Sequence, residues 1–199
     1  MNRLLLILLF TSPLLLRAQS GQIPVNISIF NEATAIPFTR LITTPIHPGI
    51  QLGTEFDYRH RTHSRFFQTV NVCYFYHNYL TQGIGTNSEV GYEYRLTCGA
   101  AFTALLGAGY LHTFATAEEF TFSNGHYEQK PDRGNGRLFP SFSIDAGYYL
   151  KRDNENSPKV FIRYQSWIEY PYSPGFIPVM GHINLHAGVK FFIQRKEKQ

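Results

Sequence analysis

Residues 84–96 read IGTNSEVGYEYRL, and this stretch decides the fold. Ile84, Thr86, Ser88, Val90, Tyr92, Tyr94 and Leu96 fall on one side of the alternation. Gly85, Asn87, Glu89, Gly91, Glu93 and Arg95 fall on the other. Successive side chains of a strand point to opposite faces, so an extended chain here has one lipid-compatible face and one polar face. Repetition of this pattern over short segments predicts a transmembrane β-barrel.

The pattern does repeat. Residues 49–59 set Ile50, Leu52, Thr54, Phe56 and Tyr58 outward against Gln51, Gly53, Glu55 and Asp57 inward. Residues 66–77 set Val70, Val72, Tyr74 and Tyr76 against Asn71, Cys73 and His77. Residues 101–114 are small and apolar, with Phe102, Leu106, Ala108 and Tyr110 on one face. Residues 138–151 oppose Phe142, Ile144, Ala146, Tyr148 and Leu150 to Ser141, Ser143, Asp145 and Gly147. Residues 159–170 oppose Val160, Ile162, Tyr164 and Ile168 to Arg163, Gln165, Trp167 and Glu169. Residues 183–193 oppose Leu185, Ala187, Val189 and Phe191 to Asn184, His186, Gly188 and Lys190. Bacterial single-chain barrels have even strand numbers, so Val25–Phe30 is taken as the eighth strand. If that strand runs outward, 60–65, 97–100 and 152–158 become periplasmic turns. The connections 31–48, 78–83, 115–137 and 171–182 then face outside. Short inner turns and long outer loops are the arrangement of outer-membrane barrels.

The chain is 43% hydrophobic and 16% aromatic, yet only 16% charged. Soluble domains carry roughly 25% charged residues, so the composition favours a membrane barrel over a secreted β-sandwich, its main competitor. Arg3 followed by the apolar run Leu4–Leu16 and Ala18-Gln19-Ser20 reads as a cleaved secretory signal over residues 1–20. The expected organisation is this signal, a barrel over 21–193 and a charged tail over 194–199. The formal charge of +4 falls by two without Arg3 and Arg17, too little to argue for nucleic acid.

Cys73 is expected within a strand, opposite Ser88, and Cys98 just past the next strand. A separation on the order of 30 Å at a strand's rise exceeds disulfide reach, so two free, buried thiols are expected. Within 115–137, Ser123-Asn124-Gly125 between alternating residues predicts a hairpin, because Asn-Gly suits the positive φ of a tight turn. The loop 171–182 is apolar and proline-rich, suited to lie over the mouth or in the outer lipid interface. Tyr58, Phe66, Tyr76, Tyr94, Phe114, Tyr149, Tyr170 and Phe192 near strand ends suggest two interfacial girdles.

The runs Gly91-Tyr92-Glu93-Tyr94-Arg95, Gly107-Ala108-Gly109-Tyr110, Gly147-Tyr148-Tyr149 and His186-Ala187-Gly188-Val189-Lys190-Phe191-Phe192 resemble the small outer-membrane β-barrel proteins of Gram-negative bacteria. The resemblance covers nearly the whole mature chain and lies in pattern rather than a motif. It implies an eight-stranded antiparallel transmembrane barrel, outer-membrane lipid around it, and delivery through the Sec route. It also implies handling by periplasmic chaperones and the outer-membrane insertion machinery. That machinery reads a terminal aromatic in the class; Phe192 fits, although Ile193 to Gln199 follow it. The class includes structural barrels, adhesins, pores and lipid-modifying enzymes, so the resemblance implies a location and no activity.

Glu55, Asp57, Glu89, Glu93, Arg95, Asp145, Arg163, Glu169 and Lys190 fall on the inward face. An eight-stranded lumen is just wide enough for side chains to fill, and buried charges must pair. A salt-bridged plug is therefore expected, with Arg95 among its partners. His182 and His186 share a strand face roughly 13 Å apart, too far for one ion. His60 and His63 have no third ligand nearby in sequence, so no metal and no cofactor are expected. Lipid A deacylases of the class use His-x-Ser on one strand, which does not occur here. His112, His126 and His182, with Asp132, are left as candidates for convergence at the outer rim. The expected function is structural or interactive, through extracellular loops and an unidentified ligand. A rim enzyme acting on lipid or lipid A acyl chains, and a narrow pore or small-ligand transporter, are the alternatives.

Overall fold

The computed structural model describes residues 22–40, 43–78, 81–116, 119–123, 125–130, 132–152, 154, 156–173 and 175–194. The expected signal and most of the charged tail lie outside these. The described chain is all β. Its strands are β1 Gln22–Thr34, β2 His47–His60, β3 Ser64–Tyr76, β4 Thr81–Arg95 and β5 Ala100–Ala115. They continue as β6 Glu119–Ser123, β7 His126–Lys130, β8 Asn135–Tyr149, β9 Lys159–Glu169 and β10 Met180–Gln194.

Eight of these close into one antiparallel barrel in the order β1-β10-β9-β8-β5-β4-β3-β2. Closure comes from pairing of the first and last strands, from Gln22↔Gln194 to Thr34↔His182. No main-chain edge is left within the barrel wall, as a hydrocarbon environment requires. The Val25–Phe30 segment is longer than expected, since β1 gains residues at both ends.

The wall is polar inside and apolar outside. Ile50, Leu52, Val72, Ile84, Leu106, Ile144, Ile162 and Val189 are exposed outward, while Asn71, Asn87, Ser143 and Gln165 are buried inward. A soluble barrel would invert this, so the outer surface is a lipid-facing belt. Two outward polar residues satisfy each other: the Gln68 amide donates to Ser88 Oγ at 2.6 Å and accepts from the Tyr58 hydroxyl.

Both described ends lie at the side of the short turns. The long connections lie opposite. Between β5 and β8, β6 and β7 form a separate hairpin beyond the wall, paired from Glu119↔Lys130 to Ser123↔His126. Gly125 takes φ +83° in its two-residue turn, as the Asn-Gly signal implies; Asn124 itself lies outside the described residues. The 170–179 connection is a second projecting turn, closed by Tyr172 N–H to Pro178 O and Ser173 N–H to Ile177 O, both 2.9 Å.

Expectations at four residues are corrected. Tyr149 is not in a girdle: it is buried in the lumen, where its hydroxyl donates to Glu93 at 2.6 Å, and Tyr148 faces out instead. Phe192 likewise shares the inward parity of Lys190, whose ammonium lies 5.6 Å from its ring centre. Cys98 is exposed rather than buried, because it sits in the short turn after β4. Cys73 is half-buried and faces Gly85, not Ser88, because the hairpin closes earlier, by His77 N–H to Thr81 O.

Candidate functional site

The lumen is filled in layers. At the inner end, Arg65 reaches Glu55 at 2.6 Å and Glu93 at 3.6 Å. Lys159 joins Glu93 at 2.7 Å to Asp145 at 3.0 Å. Arg163 bonds Asp145 at 3.1 Å and approaches Glu89 at 3.9 Å. Lys190 approaches Glu55 at 3.3 Å. Four buried carboxylates thus face four buried cations. The other Glu89 oxygen accepts from Ser141, Ser143 and Gln165 at 2.9, 3.0 and 3.2 Å. Opposite charges at close range and neutral donors offset part of the desolvation that burying charge costs, although Arg65 Nε and Nη2, Arg163 Nε and Glu89 Oε2 have no hydrogen-bond partner.

Arg95 does not take the expected place. Its guanidinium lies at the inner mouth, stacked over Tyr149 and donating to the carbonyls of Lys151, Arg152 and Asn154. It braces the 150–158 turn instead of pairing a carboxylate. Arg65 holds the central position. It was missed because 60–65 reads as a turn, whereas β3 begins at Ser64 and places Arg65 inward. Asp57 lies at the half-exposed rim of this layer, 3.1 Å from Arg65. Lys159 was missed because it falls at the start of its strand.

Above the charges sits an apolar layer of Phe30, Phe75, Leu111, Phe139 and Trp167. Above that, at the outer mouth, polar groups return. His182 lies 2.7 Å from Glu32 through Nδ1 and 3.0 Å from Glu169 through Nε2. Its ring stacks on Trp167, with centroids 4.0 Å apart. Arg137 clamps Glu169 at 2.8 Å and donates to the carbonyls of Pro171 and Tyr172, fixing the base of the outer turn. Glu169 therefore belongs to the outer cluster and not to the inner network.

Beside this cluster, the His47 and His77 rings stack with centroids 3.5 Å apart. His77 follows β3, and burial first, then the adjacent His47 ring, hold its imidazole below the usual histidine range. Among the described residues, Glu32, His47 and His77 bring metal-capable donor atoms within 4.8 Å of one another. Sequence reasoning missed this trio because its members lie on β1, on β2 and just past the end of β3, far apart in the chain.

The three candidate rim histidines are not brought together. His112 shares the outward parity of Tyr110, which its Nδ1 approaches at 3.4 Å, and its Nε2 lies 3.3 Å from the Arg133 carbonyl. His182 faces the lumen, and His126 is exposed at the start of β7. Asp132 instead accepts from the backbone of Ala115 and Gly134, tying down the loop.

No protein family and no curated protein matches the sequence. Solved structures do show likeness. The outer-membrane enzyme PagL shares 11% identity at a TM-score of 0.48, over 84% of this chain and 98% of that one. Neisserial surface protein A shares 11% at 0.48, over 86% and 97%. Ail, the attachment invasion locus protein of Yersinia pestis, shares 15% at 0.44, over 87% and 100%. The closed strand order and the inverted polarity of the wall make the chain a small barrel of the outer-membrane type.

Proposed function

We propose that this barrel is a structural or interaction protein of the outer membrane. It works through its outer loops, on a lumen kept shut by its own side chains. The observation that carries this is the β6–β7 hairpin. Phe122 and Tyr127 meet edge to face on it at 5.2 Å and remain 64% and 74% exposed. Exposed aromatic rings held together beyond the wall offer a surface that a partner can cover. Phe176, 82% exposed on the 170–179 turn, adds to the same end.

The stacked charge and aromatic layers favour a scaffold over a pore. Among the described residues His112 and His182 stand apart, which weighs against a rim enzyme built on those two candidates. On this reading the partners are outer-membrane lipid, the insertion machinery and chaperones during assembly, and an extracellular ligand.

A photo-crosslinking residue in place of Phe122 tests the proposal in living cells. A discrete crosslinked partner that disappears with Tyr127→Ser supports it. No adduct, together with stepwise conductance of the purified barrel in planar bilayers, would replace it with a pore.

A further inference from the structure

Glu32 and His47 face each other directly across the β1–β2 ladder. The β2–β3 register, Gly49↔Phe75 and Ile50↔Tyr74, places His77 opposite His47 when continued by two residues. Strands β1 and β2 and the residue just past β3 thus present a carboxylate and two imidazoles side by side at the outer end of the lumen. All three residues are buried.

His47 is already arranged as a ligand. Its Nδ1 lies 3.1 Å from the Glu32 carbonyl oxygen, which can only accept, so Nδ1 carries the proton. Nε2 is then left with its lone pair. That atom is buried without a hydrogen-bond partner, in a residue 7% exposed. A polar atom kept dry and unpaired in this way calls for an occupant. Glu32 is held in a matching way. One carboxylate oxygen is 2.7 Å from His182, and His182 in turn contacts Glu169, which Arg137 clamps. The second Glu32 oxygen lies on the His47 side, 4.0 Å from its Nδ1. Orienting contacts of this kind behind a ligand are the usual support of a metal site.

We propose that Glu32, His47 and His77 bind a divalent transition-metal ion, zinc by the donor set, at the outer mouth of the barrel. Two imidazoles and one carboxylate are a zinc ligand set that leaves a fourth position open. Donor atoms 2.0–2.1 Å from zinc stand roughly 3.3 Å apart, so the trio must draw in from within 4.8 Å and the stacked imidazoles must tilt until their lone pairs converge. A cavity of about 430 Å³ opens against His47 and His77, lined also by Thr34, Thr39, Arg40 and Thr43. It gives the ion a route from outside and room for a water or small anion beside Arg40. His182 is a positioning residue that acts through Glu32. The site stands independently of what the projecting hairpin binds.

The test uses the full chain folded in detergent, with any polyhistidine tag removed and metal stripped by chelator. Titration with zinc chloride, followed by dialysis and metal counting, is expected to give one zinc per chain. His47→Gln and His77→Gln each abolish stoichiometric binding. His182→Ala weakens it roughly 10–100-fold, the usual cost of losing an outer-shell partner. Copper(II) loaded in place of zinc is expected to show coupling to two nitrogens in its paramagnetic resonance spectrum. That count persists in His182→Ala and falls in His77→Gln. His63→Gln, at the inner turn, changes nothing. The boiling-dependent gel shift verifies that each variant is folded. Folded wild-type protein without stoichiometric zinc overturns the proposal, as does zinc retained in folded His47→Gln or His77→Gln.

Discussion

Phe67 lies directly across the β3–β4 ladder from Gly91, and a Cβ on that glycine would come within 2.7 Å of its ring. The relationship is general. All five phenylalanines buried among the described residues face a glycine on the neighbouring strand: Phe30↔Gly49, Phe67↔Gly91, Phe75↔Gly83, Phe139↔Gly109 and Phe161↔Gly188. In each pair the ring occupies the space where the glycine has no side chain. A lumen of eight strands has little spare width, so a large residue fits only where its neighbour is absent.

Gly91→Val should therefore destabilise the barrel by about 1–3 kcal/mol through overpacking. Phe67→Ala should cost about 3–5 kcal/mol by leaving a cavity. The double variant should cost less than the sum, because the two changes share one space. Urea unfolding in lipid vesicles, followed by Trp167, the single tryptophan, measures all three. Strict additivity would show that the pair is not coupled.

Arg65→Ala should cost about 3–5 kcal/mol, because Glu55 and Glu93 would remain buried with less countercharge. Arg95→Ala should cost clearly less, since its guanidinium binds carbonyls at the half-open mouth. The same unfolding assay ranks them. Equal losses would put Arg95 back in the network.

Val90 faces outward near the middle of β4. Val90→Arg should cost about 2–4 kcal/mol if that belt meets hydrocarbon. Phe122→Arg, on the hairpin beyond the wall, should leave folding unchanged. A Val90→Arg barrel as stable as wild type would mean that the belt faces water.

Cys98 is exposed in an inner turn and Cys73 is half-buried within the wall. A membrane-impermeant maleimide should leave intact cells unlabelled and modify Cys98 once the periplasm is opened. Cys73 should react only after unfolding. Labelling of Cys98 on intact cells would reverse the assigned orientation.

Strand positions and facing were legible because a period of two is written locally. Ile84 to Leu96 separates wall from lumen without reference to any other segment. The Asn-Gly hairpin was legible for the same reason, since its turn chemistry is a property of adjacent residues.

The sequence by itself thus determined an eight-stranded barrel with an apolar exterior, a charged lumen and long outer loops. Only the tertiary structure decided which charges meet. Arg65 displaces Arg95 because β3 begins at Ser64 and its register sets Arg65 directly across from Glu93. It also decided that five buried phenylalanines meet five glycines, and that Glu32, His47 and His77 meet at one end. Alternation says which face a side chain takes. The partner across the ladder depends on register and closure, which no single strand encodes.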